Sequence, residues 1–201
     1  MQSVTLLGAT GSIGQSTLDV ISQHPDKYSV YALTGCRQLQ RLAQQSVQFG
    51  AKYAVVTNEA SAVKLTSLIA DLKGTTEVIF GAEALSEVAC NNQVDIVMAA
   101  IVGAAGLLPT PAAVKAGKKV LLANKESLVM AGSIFMSAVE QYNATLLPID
   151  SEHNAIFQCL EGKNNENISR LILTASGGPF RKSSTDEIQK VTPQQALKHP
   201  T

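Results

Sequence analysis

Val4-Thr5-Leu6-Leu7-Gly8-Ala9-Thr10-Gly11-Ser12-Ile13-Gly14 decides the fold. A short apolar run ends in glycine, and two further glycines lead into a helical pattern over residues 12–22. A dinucleotide pyrophosphate needs these parts in this order. Glycines let the backbone approach the ligand, and the helix N-terminus presents free N–H groups to its charge. Gly8, Thr10, Gly11, Ser12 and Ile13 are therefore candidate cofactor contacts, with the Thr10 and Ser12 hydroxyls as added donors. The spacing is GxxGxxG, a variant of the commoner GxGxxG. A plain strand-to-helix turn is the alternative, and the position directly behind the first strand favours the binding turn.

Outward from this turn, short apolar runs recur at residues 4–7, 29–33, 53–57, 77–80, 95–99, 119–122 and 145–149. Helical patterns lie between them, at 12–22, 39–49, 59–72 and 84–90. Pro111 fits the first turn of another helix, which Gly117 ends, and one more precedes residue 145. Alternation of this kind predicts an α/β fold, a Rossmann-like doubly wound parallel sheet. Ile96-Val97-Met98 and Val120-Leu121-Leu122 are apolar on both faces, as in strands covered by helices on both sides. The alternation stops near Ile149 and Asp150. Residues 1–149 read as a dinucleotide-binding domain, and 150–201 as the beginning of a second, α+β catalytic domain. A polar loop at 161–167 and a strand at 170–174 are expected in that second part.

Composition removes other classes. Of 201 residues, 45% are hydrophobic, enough for a core. Sixteen Lys and Arg balance sixteen Asp and Glu, so no overall basic footprint points to nucleic acid. Trp is absent and aromatics are 4%, which leaves no stacking platform for bases. Cys36, Cys90 and Cys159 form no CxxC pair and read as small buried or half-buried hydrophobes in a reducing compartment. The most apolar stretch, 96–108, is shorter than the ~20 residues of a membrane span and is broken by Gly103 and Gly106. With no basic leader before the first strand, a cytoplasmic protein that engages no membrane is expected.

Polar clusters fall where strands end, the place where open α/β sheets gather ligands. After the second strand comes Thr34-Gly35-Cys36-Arg37-Gln38, with no acid to accept from a ribose 2′-OH. Arg37 suits a 2′-phosphate by charge and by its planar donor fork, so NADPH is expected, with Arg37 and Gln38 beside it. After the sixth run comes Asn124-Lys125-Glu126-Ser127, where a lysine can bind phosphate or polarise a substrate oxygen; alternatively Asn124 only caps a helix. Asp150-Ser151-Glu152-His153-Asn154 follows the seventh. If the strand continues, Asp150 and Glu152 share one side and Ser151 takes the other. That pair suits Mg²⁺ or Mn²⁺, with a further ligand needed elsewhere; an acidic cap without metal is the alternative. His153 fits a hydrogen-bond network at a helix start. Ser176-Gly177-Gly178-Pro179-Phe180-Arg181 offers either an anion nest or a turn.

In order along the chain, the glycine turn, the run over 98–110, Leu121-Leu-Ala-Asn-Lys-Glu-Ser-Leu128, Asp150-Ser-Glu-His-Asn-Ala-Ile-Phe-Gln158 and Ser176-Gly-Gly-Pro-Phe-Arg181 resemble the 1-deoxy-D-xylulose 5-phosphate reductoisomerase family. The resemblance covers essentially the whole sequence. It implies rearrangement of that substrate and NADPH-dependent reduction to 2-C-methyl-D-erythritol 4-phosphate, a step of non-mevalonate isoprenoid biosynthesis. By motif match it places Thr10, Gly11, Ser12, Ile13, Asn124 and Glu126 on the NADPH. It places Lys125, Ser151, Glu152, Ser176 and His199 on the substrate, and Asp150 and Glu152 on Mg²⁺, Mn²⁺ or Co²⁺. Asp150, Glu152 and Lys125 become the catalytic candidates, in a typically homodimeric enzyme.

Two departures stand out. The family usually has Gly, then Lys or Arg, then Asn where this chain has Cys36-Arg37-Gln38. Family chains also continue past the His-Pro segment with a tryptophan-bearing flap, further substrate-binding residues and another metal-binding glutamate. The expectation is that this sequence is the N-terminal part of a longer enzyme, able to hold NADPH but not to turn over alone. Two alternatives remain: an NADP-binding module without catalysis, and a semialdehyde-type dehydrogenase. The second needs a nucleophilic cysteine, and Cys159 lies inside an apolar-periodic segment.

Overall fold

The structure, a computed structural model, describes residues 1–160, 168–173 and 178–198. It divides into two compact units, Met1–Asn154 and Ala155–Thr201. In the first, the described residues form strands β1 (Gln2–Leu7), β2 (Tyr28–Thr34), β3 (Tyr53–Val56), β4 (Glu77–Phe80), β5 (Ile96–Ala99), β6 (Lys119–Leu122) and β7 (Thr145–Pro148). They make one sheet in the order β4-β3-β2-β1-β5-β6-β7, every neighbouring pair parallel.

Helices α1 (Ser12–Gln23), α2 (Leu39–Gln48), α3 (Glu59–Asp71), α4 (Ala82–Cys90), α5 (Pro109–Lys115) and α6 (Glu126–Gln141) connect them, and α7 (Ser151–Leu160) follows β7. Side chains alternate across the strands, so the core separates into two layers. Leu6, Leu33, Val56 and Met98 meet Leu18, Leu42 and Leu65 of α1 to α3 on one face. Leu7, Ala32, Val55 and Val97 meet Val88, Val114 and Phe135 of α4 to α6 on the other. A buried polar residue on that face, Thr5, is satisfied by donating its hydroxyl to Val88 O at 2.9 Å.

From β1 the chain first builds outward to β2, β3 and β4, then returns to pair β5 on the opposite side of β1. The carboxyl ends of β1 and β5 therefore flank a topological switch point, where such sheets bind ligands. The glycine turn sits directly on it. Farther out, Asn58 caps α3 by accepting the Ser61 N–H at 2.9 Å. Asn58→Ala is expected to cost about 1 kcal/mol and to lower the melting temperature by about 2–4 °C, with NADPH affinity unchanged; thermal unfolding with a parallel cofactor titration checks both.

The fifth helix begins at Pro109, which supplies the fixed φ of its first position, and Pro111 falls in its first turn as the sequence predicts. Other sequence expectations need correction. Residues 170–173 carry no strand pairing, and Leu171, Ile172 and Leu173 are exposed. An extended run needs a ladder partner, and the described residues of the second unit provide none. That unit instead shows a 3₁₀ turn (Gly178–Phe180), α8 (Thr185–Ile188) and α9 (Pro193–Ala196). Capping boxes open both helices, Ser184 with Glu187 and Thr192 with Gln195. Of the cysteines, expected to be buried or half-buried, one of three is so. Cys36 and Cys159 are exposed and only Cys90 is half-buried, since Cys36 lies in the loop after β2 and α7 carries no buried residue.

Candidate functional site

The glycine turn is tied to the end of β2. The Gly8 N–H donates to Thr34 Oγ1 at 2.8 Å, and the Ala9 N–H to Thr34 O at 2.8 Å. Gly8 leaves β1 at φ +91°, a conformation that L side chains resist. Gly14 lets α1 start directly over the turn; a Cβ there would lie 2.5 Å from the carbonyl oxygens of Gly8 and Ala9. Gln15 Nε2 donates to Thr10 O at 3.1 Å and to Gly11 O at 3.2 Å, and Gln38 Nε2 to Thr10 O at 3.5 Å. The N-cap of α1 is Gly11, with no side-chain cap and no acid in the first turn. The first N–H groups and the positive end of the helix dipole are thus left to an external anion. Gly11 and Ser12 are exposed there, Gly8 and Ile13 half-buried, and Thr10 buried.

Beside this turn, Arg37, Gln38, Arg41 and Lys64 help line an open cavity of about 500 Å³ with no carboxylate among its lining residues. No ion pair among the described residues engages these three cations. Charge and position fit the phosphate of a 2′-phosphorylated adenosine at the end of β2.

The loop after β5 forms the opposite wall. The Ala100 carbonyl oxygen lies only 2.7 Å from where a Cβ on Gly8 would sit. Asn124, buried after β6, donates its amide to Ile101 O and to Gly103 O, the latter at 3.0 Å. Its Oδ1 accepts from the Ser127 N–H and hydroxyl, both at 2.9 Å. Lys125 is exposed and half-buried Glu126 opens α6. Sequence reasoning named Asn124, with Ser127 in the same cluster, but not its partners Ile101 and Gly103 or its neighbour Gly106. The Gly103/Gly106 pair entered there as a break in an apolar run and within the 98–110 family motif.

At the end of β7 the strand does not continue through Glu152, as the sequence reading allowed. It ends at Pro148, and helix α7 takes over at Ser151. Asp150 decides this by capping: its Oδ1 accepts the His153 N–H at 3.1 Å and lies 2.7 Å from His153 Nδ1. Asn154 Nδ2 donates back to Pro148 O at 2.7 Å. Asp150 and Glu152 therefore stand on a helix start rather than on one side of a strand.

Partial burial pushes the Asp150 carboxyl up, but hydrogen bonds from His153 and the charges of His153 and Lys125 outweigh it and hold the group below its ordinary value. Glu152 is also held low, first by its own backbone N–H and by the Ser151 hydroxyl at 2.9 Å, with a contribution from Lys125. Two ionised oxygen donors near one lysine fit a hard divalent cation. They are a partial donor set, since the described residues hold no group of three His, Cys, Asp or Glu able to bind a metal. Ser176 and His199 lie outside the described residues.

A Rossmann-like doubly wound α/β unit with an acidic helix start behind its last strand is the class these features define. The family model for 1-deoxy-D-xylulose 5-phosphate reductoisomerase matches residues 4–132, and the model for that enzyme's C-terminal domain matches 146–201. The chain belongs to the 1-deoxy-D-xylulose 5-phosphate reductoisomerase family. It is 57% identical over 208 aligned residues to the reductoisomerase of Cellvibrio japonicus, covering 99% of this chain and 52% of the relative. Against that of Ectopseudomonas mendocina it is 56% identical, covering 100% and 52%.

Among solved structures, the Zymomonas mobilis reductoisomerase in complex with NADPH matches at 48% identity and a TM-score of 0.86, over 98% of this chain and 51% of that one. A reductoisomerase in complex with NADPH, fosmidomycin and magnesium matches at 43% identity and 0.83, over 100% and 51%. The chain spans about half the length of the curated relatives it matches. A semialdehyde-type dehydrogenase is left without support.

Proposed function

We propose that this chain carries the cofactor-binding part and the first metal- and substrate-binding residues of an enzyme that converts 1-deoxy-D-xylulose 5-phosphate to 2-C-methyl-D-erythritol 4-phosphate. The observation that carries the reading is the match over the whole chain to a reductoisomerase solved with NADPH, fosmidomycin and magnesium. Residues 1–149 would hold NADPH and 150–201 begin the catalytic domain. Bound NADPH supplies the hydride, and a divalent cation supplies Lewis acidity to substrate oxygens.

The chain's own groups have separate tasks. Thr10, Gly11, Ser12 and Ile13 receive the pyrophosphate at the α1 N-terminus, and Arg37, with Gln38 beside it, takes the 2′-phosphate. Glu126 and Asn124 stand on the nicotinamide side. Asp150 and Glu152 contribute carboxylate oxygens to Mg²⁺, Mn²⁺ or Co²⁺. Lys125 and Ser151 bind and orient the substrate, with Ser176 and His199 from the later segment. Homodimeric assembly and a cytoplasmic site belong to the same proposal. They rest on the family resemblance, and no helix among the described residues is long and apolar enough to cross a membrane.

The test is NADPH oxidation by the purified full-length protein, followed by absorbance. Consumption that requires both 1-deoxy-D-xylulose 5-phosphate and a divalent metal, and that a chelator abolishes, is the expected result. NADPH binding that neither substrate nor chelator alters, without turnover, would favour a cofactor-binding module. Arg37→Ala is expected to weaken NADPH binding about 10–100-fold, the worth of a charged hydrogen bond, and to leave NADH binding unchanged. Parallel titrations with the two cofactors separate loss of the phosphate contact from general damage.

A further inference from the structure

We propose that Asn124 is a positioning residue whose buried carboxamide fixes the far wall of the cofactor crevice and so sets the gap that the nicotinamide half of the dinucleotide enters. The inference rests on the cofactor reading above. With the pyrophosphate on α1 and the 2′-phosphate over the end of β2, the other half of the cofactor extends past β1 toward β5 and β6. Its walls there are the glycine turn and the loop over 100–106, which approach so closely at Gly8 that no side chain fits between them.

The start of this loop is fixed, since the Ala100 N–H donates to Leu7 O at 2.9 Å and Ala100 and Ile101 pack against the two core layers, but beyond them comes a 3₁₀ turn with Val102 exposed before it. One side chain ties this turn to the segment after β6. Asn124 binds two of its carbonyls, Ile101 O and Gly103 O, with one amide nitrogen, while its oxygen is held by the backbone and hydroxyl of Ser127 in the first turn of α6. Both polar atoms are occupied inside the protein, and Asn124 is 2% exposed. The side chain therefore acts on the cofactor through the loop, rather than by the direct contact that the family motif implies for this residue.

Gly106 completes the arrangement. A Cβ there would lie 2.5 Å from Asn124 Nδ2 and 3.1 Å from its Cγ, so glycine is required for the clamp to close. Gly106 has an ordinary negative φ, so alanine would be excluded by Asn124 rather than by backbone strain.

A double-mutant cycle in the purified full-length protein tests this, reading NADPH dissociation constants for the folded fraction alongside melting temperature. Asn124→Ala and Gly106→Ala are each expected to weaken NADPH binding about tenfold, the scale of a lost buried hydrogen-bond pair. Ser127→Ala, which removes a buried hydroxyl bonded to Asn124 Oδ1, is expected to weaken it severalfold. In the Asn124→Ala background, Gly106→Ala is expected to add less than about twofold, because the clash partner is gone and only Ile101 O at 3.2 Å remains.

Additive effects would overturn the clamp, as would variants that melt earlier while the folded fraction binds NADPH as before. An effect of Asn124→Ala with none from Ser127→Ala or Gly106→Ala would instead indicate direct contact, and would also overturn it. Unmodified protein that binds no NADPH would overturn the cofactor reading itself, an outcome seen before any variant is made.

Discussion

Gly8→Ala is expected to remove NADPH binding and to lower the melting temperature by about 10 °C or more, the shift that several kcal/mol produces in a chain of this size. Two costs add. At φ +91° a side chain is strained by about 1–3 kcal/mol. The new Cβ would also stand 2.7 Å from Ala100 O and 2.9 Å from Ala100 C. Both are backbone atoms at the end of β5 and cannot swing aside as a side chain would. Relief requires β1 and β5 to part where Leu7 faces Ala99, in the middle of the sheet.

Gly11→Ala is the internal comparison. Gly11 has φ −75°, and a Cβ there would make only an ordinary contact with Gly8 O at 3.5 Å. It is expected to keep its melting temperature within about 2 °C while weakening NADPH binding, because the methyl group occupies exposed space at the α1 N-terminus. Thermal unfolding and cofactor titration on both variants give the contrast. A Gly8→Ala protein melting within that same margin of the parent would show that the turn and the loop after β5 are not rigidly opposed.

The same two glycines show what could be read in the sequence and what could not. The glycine turn was legible because its requirements are local: an apolar run, a residue able to take positive φ, and a helix start within a few positions. The strands were legible for a similar reason, since both faces of a central strand are buried and the apolar runs announce it.

Asp150 was not legible in this way. Carboxylates two residues apart fit a strand edge and a helix start equally well, and the choice was made by the short contacts of Asp150 Oδ1 with His153. Asn124 was legible only through its motif and as a candidate cap for α6, whose Ser127 N–H its Oδ1 accepts. Its partners Ile101 and Gly103 lie 23 and 21 residues away and reach it only because β5 and β6 pair side by side. Leu171 to Leu173 failed in the opposite direction, since a run with every local mark of a strand still needs a neighbour to pair with.

Asp150→Asn separates the chemical from the architectural part of the acidic cluster. Asparagine caps helices about as well as aspartate, so the bond from the His153 N–H is retained and stability is expected to change by less than about 0.5 kcal/mol. What is lost is one of two anionic oxygen donors, held ionised by His153 and Lys125. Several kcal/mol of charge stabilisation depends on a correctly bound dication, so turnover of the full-length protein is expected to fall a hundredfold or more. The metal concentration for half-maximal activity is expected to rise, with the NADPH dissociation constant unchanged.

Asp150→Ala removes the cap as well and is expected to cost about 1 kcal/mol of stability on top of the same kinetic loss. Glu152→Gln isolates the second donor. Glu152 is exposed and its side chain bonds to the adjacent Ser151 hydroxyl and its own backbone N–H, so its replacement has little architectural consequence to confuse the measurement. If Asp150→Asn instead kept the parent's metal requirement and turnover, Asp150 would be a helix cap and the cation would have to be held by other groups. Capping accounts for the contacts of Asp150 Oδ1 without a metal, and only the metal titration distinguishes the two roles.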